Sequence, residues 1–364
     1  MFNSNHYVPI LRWKAAEKEA LEQLSSKEKE SMTPLLEILM PQPRNPKKGD
    51  PVKSPSELLT ESVEALKVAL PKIPQEILEY WGTLPAFVDL SLVDVSLRAS
   101  GMKQIVIGAE KLGIQLIPVT GLSSDTLTQN TAFALAKSKE RGLCLRVFRL
   151  DLVDPALLAK NIKAFLAASG VSEKDTDLLI DLKNTDEECQ KLTELCTRIP
   201  NIAKWRTFTV ASGALPPDLT DLSVDLHFKD RADWNAWFGQ RKKNLVRKPS
   251  FADYTIQHPI YKEPVRGSNP SASIRYTLKT RWLIMRGQAL RGKNTKGHAQ
   301  YPAVARMVSE NEEFFGEDFS FGDKYIAEKG KDLNSKQTGT PRTWLRAGIN
   351  HHLACTVSQI SSLS

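Results

Sequence analysis

Short apolar runs alternate with helical stretches along the first 258 residues of this chain. Runs such as LLEIL, AFVDL and LLIDL are almost continuously apolar, which is typical of parallel strands that are buried on both faces. The stretches between them carry helix-start signals. Ser54, Pro55 and Glu57, for example, supply an N-cap, a first-turn proline and a capping box. Eight strands are predicted, over residues 7–13, 33–39, 85–92, 113–119, 142–150, 176–183, 204–212 and 251–257.

Eight strands joined by helical crossovers favour a closed barrel over an open sheet. We therefore predict an α/β fold with a TIM-like (β/α)8 barrel over residues 1–258. The pattern changes after Pro259: residues 271–288 alternate apolar and polar side chains, which is typical of an antiparallel β-ribbon. Loops and helical segments follow to the end of the chain. Residues 259–364 are predicted to form a basic extension of ribbon and helices packed on the barrel.

Composition indicates a globular protein of the cytoplasm. Hydrophobic residues make up 41% of the 364 residues, enough to fill a large core. No apolar run approaches the length of a membrane span, and the first residues lack the pattern of a secretory signal. The cysteines are scattered without a CxxC pair, which favours reduced thiols. These cysteines are Cys144, Cys189, Cys196 and Cys355.

Positive charge is concentrated in one part of the sequence. The chain carries a net charge of +8, but residues 231–300 hold 15 Lys and Arg against three acids, an excess of +12 that leaves −4 for the rest. Such a block favours a polyanionic partner, and we expect nucleic acid, although a solvated lysine-rich surface stays open. The candidate nucleic-acid-binding residues are Arg241, Lys242, Lys243, Arg247, Lys248, Arg281, Arg286, Arg291, Lys293 and Lys296.

Ionisable residues lie in or beside the predicted barrel strands, near the ends where active sites of such barrels are found. Charges in apolar strands are costly unless they are paired, so we expect these side chains to meet at the C-terminal mouth of the barrel. They are Lys14, Glu37, Asp89, Arg146, Asp181 and Lys183. The cluster could act in acid–base chemistry, hold a divalent metal, or serve only as a structural charge network.

A second candidate cluster lies near the C-terminus. Asp323, Arg346 and His351 could orient a base and hold a phosphate, and we expect them to fold back over the barrel mouth. The alternative is that this segment only packs against the barrel. Several signatures are absent from the sequence: the P-loop, GxGxxG after a strand, HExxH, zinc-ligand spacing and GxSxG.

The segments YVPILRWKAAEKEAL, TPLLEIL, FGEDFSFGDKYI and WLRAGINHHL resemble the Beta protein family. The resemblance covers most of the chain and implies a phage-related or anti-phage context, with no established reaction. Three functions stay open. The first is a nucleic-acid-binding protein, including an enzyme directed at phosphodiesters or nucleotides. The second is a small-molecule barrel enzyme such as a lyase or phosphodiesterase. The third is a non-enzymatic partner or regulator of a toxin, with a protein partner from the same defence operon.

Overall fold

The computed structural model describes residues 2–43, 53–185, 191–263 and 267–363. Eight parallel strands pair in chain order, and the last pairs with the first to close a barrel. The predicted (β/α)8 barrel is confirmed. The barrel strands are β1 (Tyr7–Arg12), β2 (Leu35–Glu37), β3 (Ala86–Asp89), β4 (Leu116–Thr120), β5 (Leu143–Phe148), β6 (Thr176–Asn184), β7 (Thr207–Gly213) and β9 (Ser250–Asp253).

Helices surround the barrel, and several begin with the caps that the sequence indicates. The Ser54 hydroxyl accepts from the Glu57 amide and completes a capping box. The helices are α1 (Ala15–Glu22), α2 (Ser26–Glu30), α3 (Pro55–Ala69), α4 (Ile73–Tyr80), α5 (Val95–Lys111), α6 (Thr126–Lys137), α7 (Pro155–Ser169), α8 (Leu192–Arg198), α9 (Ala232–Arg241), α10 (Tyr301–Ser309), α11 (Phe321–Lys331) and α12 (Pro341–Ser361).

A smaller antiparallel sheet lies outside the barrel. β10 (Ser271–Thr277) and β11 (Arg281–Ala289) form the predicted ribbon. A third strand, β8 (Leu226–Asp230), pairs with the other edge of β11. β8 was not predicted. Its sequence LHFKD is half exposed and lacks a clear alternation, and its partner is distant in sequence, so no local signal marks it.

The last helix occupies the position of the barrel's eighth helix. α12 packs against α1 and β1, and Ile349, Leu353 and Val357 join the core between the strands and their helices. The ribbon, α10 and α11 are therefore an insertion between the eighth barrel strand, β9, and its helix. The extension does not simply pack on a finished barrel, because its final helix completes the ring.

None of the helices in the described ranges combines the length and apolar character that crossing a membrane would need. Cys144, Cys196 and Cys355 are buried free thiols, and Cys189 lies outside the described residues.

Candidate functional site

The centre of the barrel mouth is the guanidinium of Arg146, which is 1% exposed. In a strand, alternate side chains face the same side, so β5 places Arg146 inward above Cys144. Its nitrogens donate to Asp89 Oδ2 at 2.5 Å, Glu37 Oε1 at 2.9 Å and Asp181 Oδ2 at 2.6 Å. Three carboxylates from three strands therefore converge on one cation.

Lys183 and Tyr254 extend this network toward solvent. The Tyr254 hydroxyl donates to Asp181 Oδ2 at 2.6 Å and accepts from Arg146 at 2.9 Å and from Lys183 Nζ at 2.8 Å. Lys183 has a φ of +57°, an unusual conformation for a residue with a side chain. The Lys183 amide donates to Asp181 Oδ1 at 2.9 Å, which holds this bulged strand end.

The electrostatics of the mouth are internally balanced. Burial alone would raise the pKa of Asp181, but Arg146 and Lys183 outweigh it and hold that pKa below its usual value. Burial, and then Arg146, lower the pKa of Lys183. Arg12 Nε lies 4.0 Å from Glu37 Oε2. Three carboxylates thus face three cations, and this cluster neutralises itself without a bound ion.

Five of the six predicted mouth residues therefore meet, and Lys14 does not join them. Arg12 and Tyr254 belong to the network but were not among the sequence candidates. A signal for both was present in the sequence: Arg12 continues the inward alternation of Val8 and Ile10, and Tyr254 follows the inward Ala252.

A cleft of about 640 Å³ adjoins the mouth beyond Arg12. It lies at the C-terminal face, between the loop after β1, residues that follow β7 and β9, and the start of α12. Among the described residues that line it, six are Lys or Arg and one is acidic, Glu17. The six, called the cleft cations below, are Arg12, Lys14, Lys18, Lys262, Arg275 and Arg342.

Three cleft cations lack an ion-pair partner within the described ranges: the exposed Lys262 and the partly buried Arg275 and Lys14. Arg275 donates to the Ile256 carbonyl at 2.8 Å, and burial lowers its pKa to about 10. Lys14 donates to the Tyr261 hydroxyl at 2.6 Å. Burial lowers the pKa of Lys14, and the more distant Glu263 and Glu17 offset this only in part. Each of these two cations is partly desolvated, and neighbouring groups compensate for this only in part, which is unfavourable for a charged side chain.

The remaining cleft cations differ in their partners. Lys18 pairs with Glu76 at 3.0 Å, and Arg342 pairs with Glu19. Arg12 binds the His258 carbonyl at 2.6 Å, but its Nε is buried without a hydrogen-bond acceptor. The side chains of Arg12 and Lys14 lie 5.0 and 4.6 Å from the centre of the Tyr261 ring.

Glu17 is a fully buried carboxyl at the cleft wall. Gln257 donates to its Oε1 at 2.7 Å, and its Oε2 is buried without a hydrogen-bond partner. Burial raises the pKa of Glu17, although the Gln257 hydrogen bond and the nearby cations oppose the shift. Sequence reasoning missed Glu17 because its position in α1 suggests an ordinary surface residue.

The Beta protein family model matches residues 7–358, nearly the whole chain. The chain belongs to the Beta protein family. The match includes the strands that build the mouth and the helix that closes the barrel. No curated protein matches this Beta protein.

The C-terminal candidates of this Beta protein do not reach the mouth network. His351 is fully buried between Asp323 Oδ2 at 2.8 Å and the Thr277 carbonyl at 2.7 Å, and it stacks on Tyr276. These contacts join α12 to α11 and β10. Arg346 lies 3.7 Å from Glu19 of α1 and over the ring of Phe321. All three residues thus pack the insertion and α12 together, away from Arg146.

The ten candidate nucleic-acid-binding residues fall into two groups on different parts of the molecule. Arg241 binds Ser4 and Asn5, and Arg247 binds the carbonyls of Ile202 and Trp205. These partners precede β1 and β7, so the first group lies at the N-terminal face of the barrel. Its members are Arg241, Lys242, Lys243, Arg247 and Lys248.

The second group lies on the insertion. Arg286 donates to the Leu222 carbonyl, shortly before β8, and Arg291 donates to the Ser268 carbonyl, shortly before β10, so both contact loops beside the small antiparallel sheet. Arg281 pairs with Glu313, and Lys293 and Lys296 are exposed. The ten residues therefore do not form one connected surface. The four arginines 241, 247, 286 and 291 hold the protein's own carbonyls.

Within the described ranges, no group of three or more His, Cys, Asp and Glu side chains is arranged to hold a metal ion. The mouth carboxylates are directed at Arg146, which takes the place that a divalent cation would need.

Proposed function

We propose that this protein binds nucleic acid through phosphate groups at the cleft beside the barrel mouth, and that it acts in the conflict between phages and bacteria. The phage context comes from the family. The ligand class comes from the chemistry of the cleft, because phosphate oxygens are the natural partners of closely spaced Arg and Lys side chains.

The observation that carries the proposal is the contrast between two neighbouring groups of charges. At the mouth, Arg146 is matched by three carboxylates. In the cleft, Arg275 and Lys14 are desolvated without an ion pair from the described residues. Both side chains are partly buried, and a partly desolvated cation without a counter-ion is less stable than one in water. An anionic ligand would remove that cost.

The place of the cleft in the fold favours the same ligand. Barrels of this architecture frequently bind phosphate groups beside the loops that follow the seventh and eighth strands. Pro217 follows β7, and Gln257, Ile260 and Lys262 follow the eighth strand, β9; all four line this cleft. This likeness is one of architecture, and it supports a phosphate ligand without naming a reaction.

A second candidate, a small-molecule barrel enzyme, has one observation in its favour. The cleft volume of about 640 Å³ lies within the range of pockets that enclose small ligands, and the cleft adjoins a network with an acid, a hydroxyl and a lysine. The two candidates share the cleft and differ in whether a polymer enters it.

The test is binding of fluorescently labelled single- and double-stranded DNA and RNA, followed by anisotropy over a salt series from about 50 to 200 mM. Affinity should fall steeply with salt, and the double variant Lys14→Gln, Lys262→Glu should weaken it. The control is Lys160→Glu on α7, an exposed lysine remote from the cleft lining, which should lower affinity only slightly, through net charge, and leave the salt dependence unchanged. Absence of binding at the lowest salt would refute the proposal.

A further inference from the structure

We infer that the cleft holds a phosphate monoester, either as a free nucleotide or as the phosphorylated end of a nucleic-acid strand, with Arg275 and Lys14 as its main cations. The inference rests on one part of the proposed function, phosphate binding in the cleft, and specifies the kind of phosphate group. An internal phosphodiester of a continuous strand is the alternative that it excludes.

The first argument is charge. A phosphate monoester carries about −1.5 to −2 at neutral pH, whereas each internal phosphodiester carries one negative charge. Arg275 and Lys14 are both without an ion pair among the described side chains, and Arg12 Nε is buried without an acceptor. Two cations without an ion pair and one guanidinium N–H without an acceptor match a dianion better than a monoanion.

The second argument is size. Proteins that follow a strand use a long groove with repeated stacking positions. This cleft is of small-ligand size, about 640 Å³. Its described lining also offers apolar surface beside the cations: Ile260 is 44% exposed, and Leu345 lies at the start of α12. One nucleoside could rest on this surface while its phosphate meets the cations.

The third argument is rigidity. Arg12 and Arg275 both hold carbonyls of the same turn, at His258 and Ile256. The turn begins with Thr255 at a φ of +57°, and the Thr255 backbone N–H donates a hydrogen bond to Asp253 Oδ1 at 2.9 Å, which stabilises this conformation. The cations are therefore held in place before a ligand binds, which lowers the cost of binding a compact anion.

The experiment compares four probes by titration calorimetry and anisotropy: adenosine, adenosine 5′-monophosphate, a labelled oligonucleotide with a 5′-phosphate, and the same oligonucleotide with a 5′-hydroxyl. The phosphorylated probes should bind at least about tenfold more tightly than their partners. Arg275→Gln and Lys14→Gln should each abolish this preference, while Lys160→Gln should keep it. Thermal unfolding establishes that each variant is folded. If the Arg275→Gln variant does not fold, the Lys14→Gln variant still tests the inference.

The other outcomes separate the two proposals. If both oligonucleotides bind equally and binding depends on the cleft, the inference is wrong and the proposed function stands. If the mononucleotide binds and neither oligonucleotide does, the inference holds for a free nucleotide and nucleic-acid binding is excluded. A phosphate preference that persists in both variants would place the site elsewhere and overturn the inference. If none of the probes binds, both proposals fail.

Discussion

Arg146 is the residue on which the barrel mouth depends. Its side chain is buried under the ends of the strands and is held by Glu37, Asp89 and Asp181. Each of these carboxylates is almost fully buried, and each would be an unpaired charge without the guanidinium. The whole network therefore contributes more to the stability of the folded protein than the sum of its separate hydrogen bonds suggests.

Replacing Arg146 by Met should destabilise the protein strongly, by about 3–5 kcal/mol, because three buried carboxylates lose their common partner. Chemical unfolding followed by circular dichroism measures the loss. Lys160→Met, at an exposed position of α7, serves as the control and should lie within about 0.5 kcal/mol of the parent. An Arg146→Met protein as stable as the parent would show that the carboxylates take up protons or water at little cost.

Glu17 should make stability depend on pH in the opposite sense from a salt-bridged acid. Its folded-state pKa is raised above the ordinary value of 4.5 by burial, so the folded protein holds this proton more tightly than the unfolded chain. Its contribution is therefore fully favourable below pH 4.5 and is lost as the pH rises through the folded pKa.

The isosteric change Glu17→Gln removes this dependence and keeps an acceptor for Gln257. The variant should be more stable than the parent at neutral pH, and the difference should shrink as the pH falls through the raised folded-state pKa of Glu17 and be smallest below 4.5. Denaturant midpoints across a pH series give the comparison. A constant difference at every pH would mean that Glu17 does not titrate in the folded protein as described.

At the scale of elements, α12 links the insertion to the barrel, so we expect the two to unfold as one unit. His352 Nε2 on this helix donates to Asp253 Oδ2 of β9 at 2.8 Å, and His352 Nδ1 forms a hydrogen bond with Thr277 Oγ1 of β10 at 2.9 Å. The Tyr7 hydroxyl of β1 donates to the same aspartate at 2.5 Å. One buried cluster thus ties the last helix to both sheets.

Leu353→Ala in the middle of α12 should therefore unfold the barrel and the insertion together, at a cost of about 2–5 kcal/mol. Leu353 is fully buried in the core between strands and helices. Hydrogen exchange should show the amides of α12 and of the barrel strands losing protection to the same extent. Loss confined to residues after 259 would mean that the extension is an independent unit.

Local patterns in the sequence were sufficient to predict the eight barrel strands and the ribbon, because buried parallel strands leave continuous apolar runs and a ribbon leaves an alternation. They did not predict β8 or the role of α12. Both depend on contacts between segments far apart in the chain. Local preferences do not specify which sheet edge a strand pairs with or which position around the barrel a helix occupies. The basic block was visible, but its division between two faces was not.

The same distinction applies to the site. Convergence of Glu37, Asp89, Arg146, Asp181 and Lys183 followed from the rule that strand ends meet at the mouth of a barrel. The sequence did not predict the cleft, because one of its cations, Arg275, belongs to the insertion. Lys14, which was expected at the mouth, instead donates to the Tyr261 hydroxyl in the cleft. The prediction that Asp323 and His351 approach the mouth was wrong because these two side chains bind each other between α11 and α12.

On the scale of the whole molecule, positive charge is spread over two opposite faces. The cleft cations lie at the C-terminal face. Lys242, Lys243 and Lys248 are exposed near the N-terminal face, beside Arg241 and Arg247, whose guanidinium groups hold the protein's own backbone. A polyanion could be attracted by either face, since attraction at a distance reflects net charge more than specific contacts.

The two faces should differ in how they contribute to nucleic-acid binding. Each phosphate contact adds about one unit to the slope of log affinity against log salt. Reversing Lys242, Lys243 and Lys248 to Glu should lower affinity at low salt through net charge and leave the slope almost unchanged. Changing Lys14 and Lys262 should lower affinity and also reduce the slope by about two. The opposite result, a slope that falls only with the N-terminal-face variant, would move the binding surface to that face, because counterion release follows the residues that touch phosphates and not those that only add to the field.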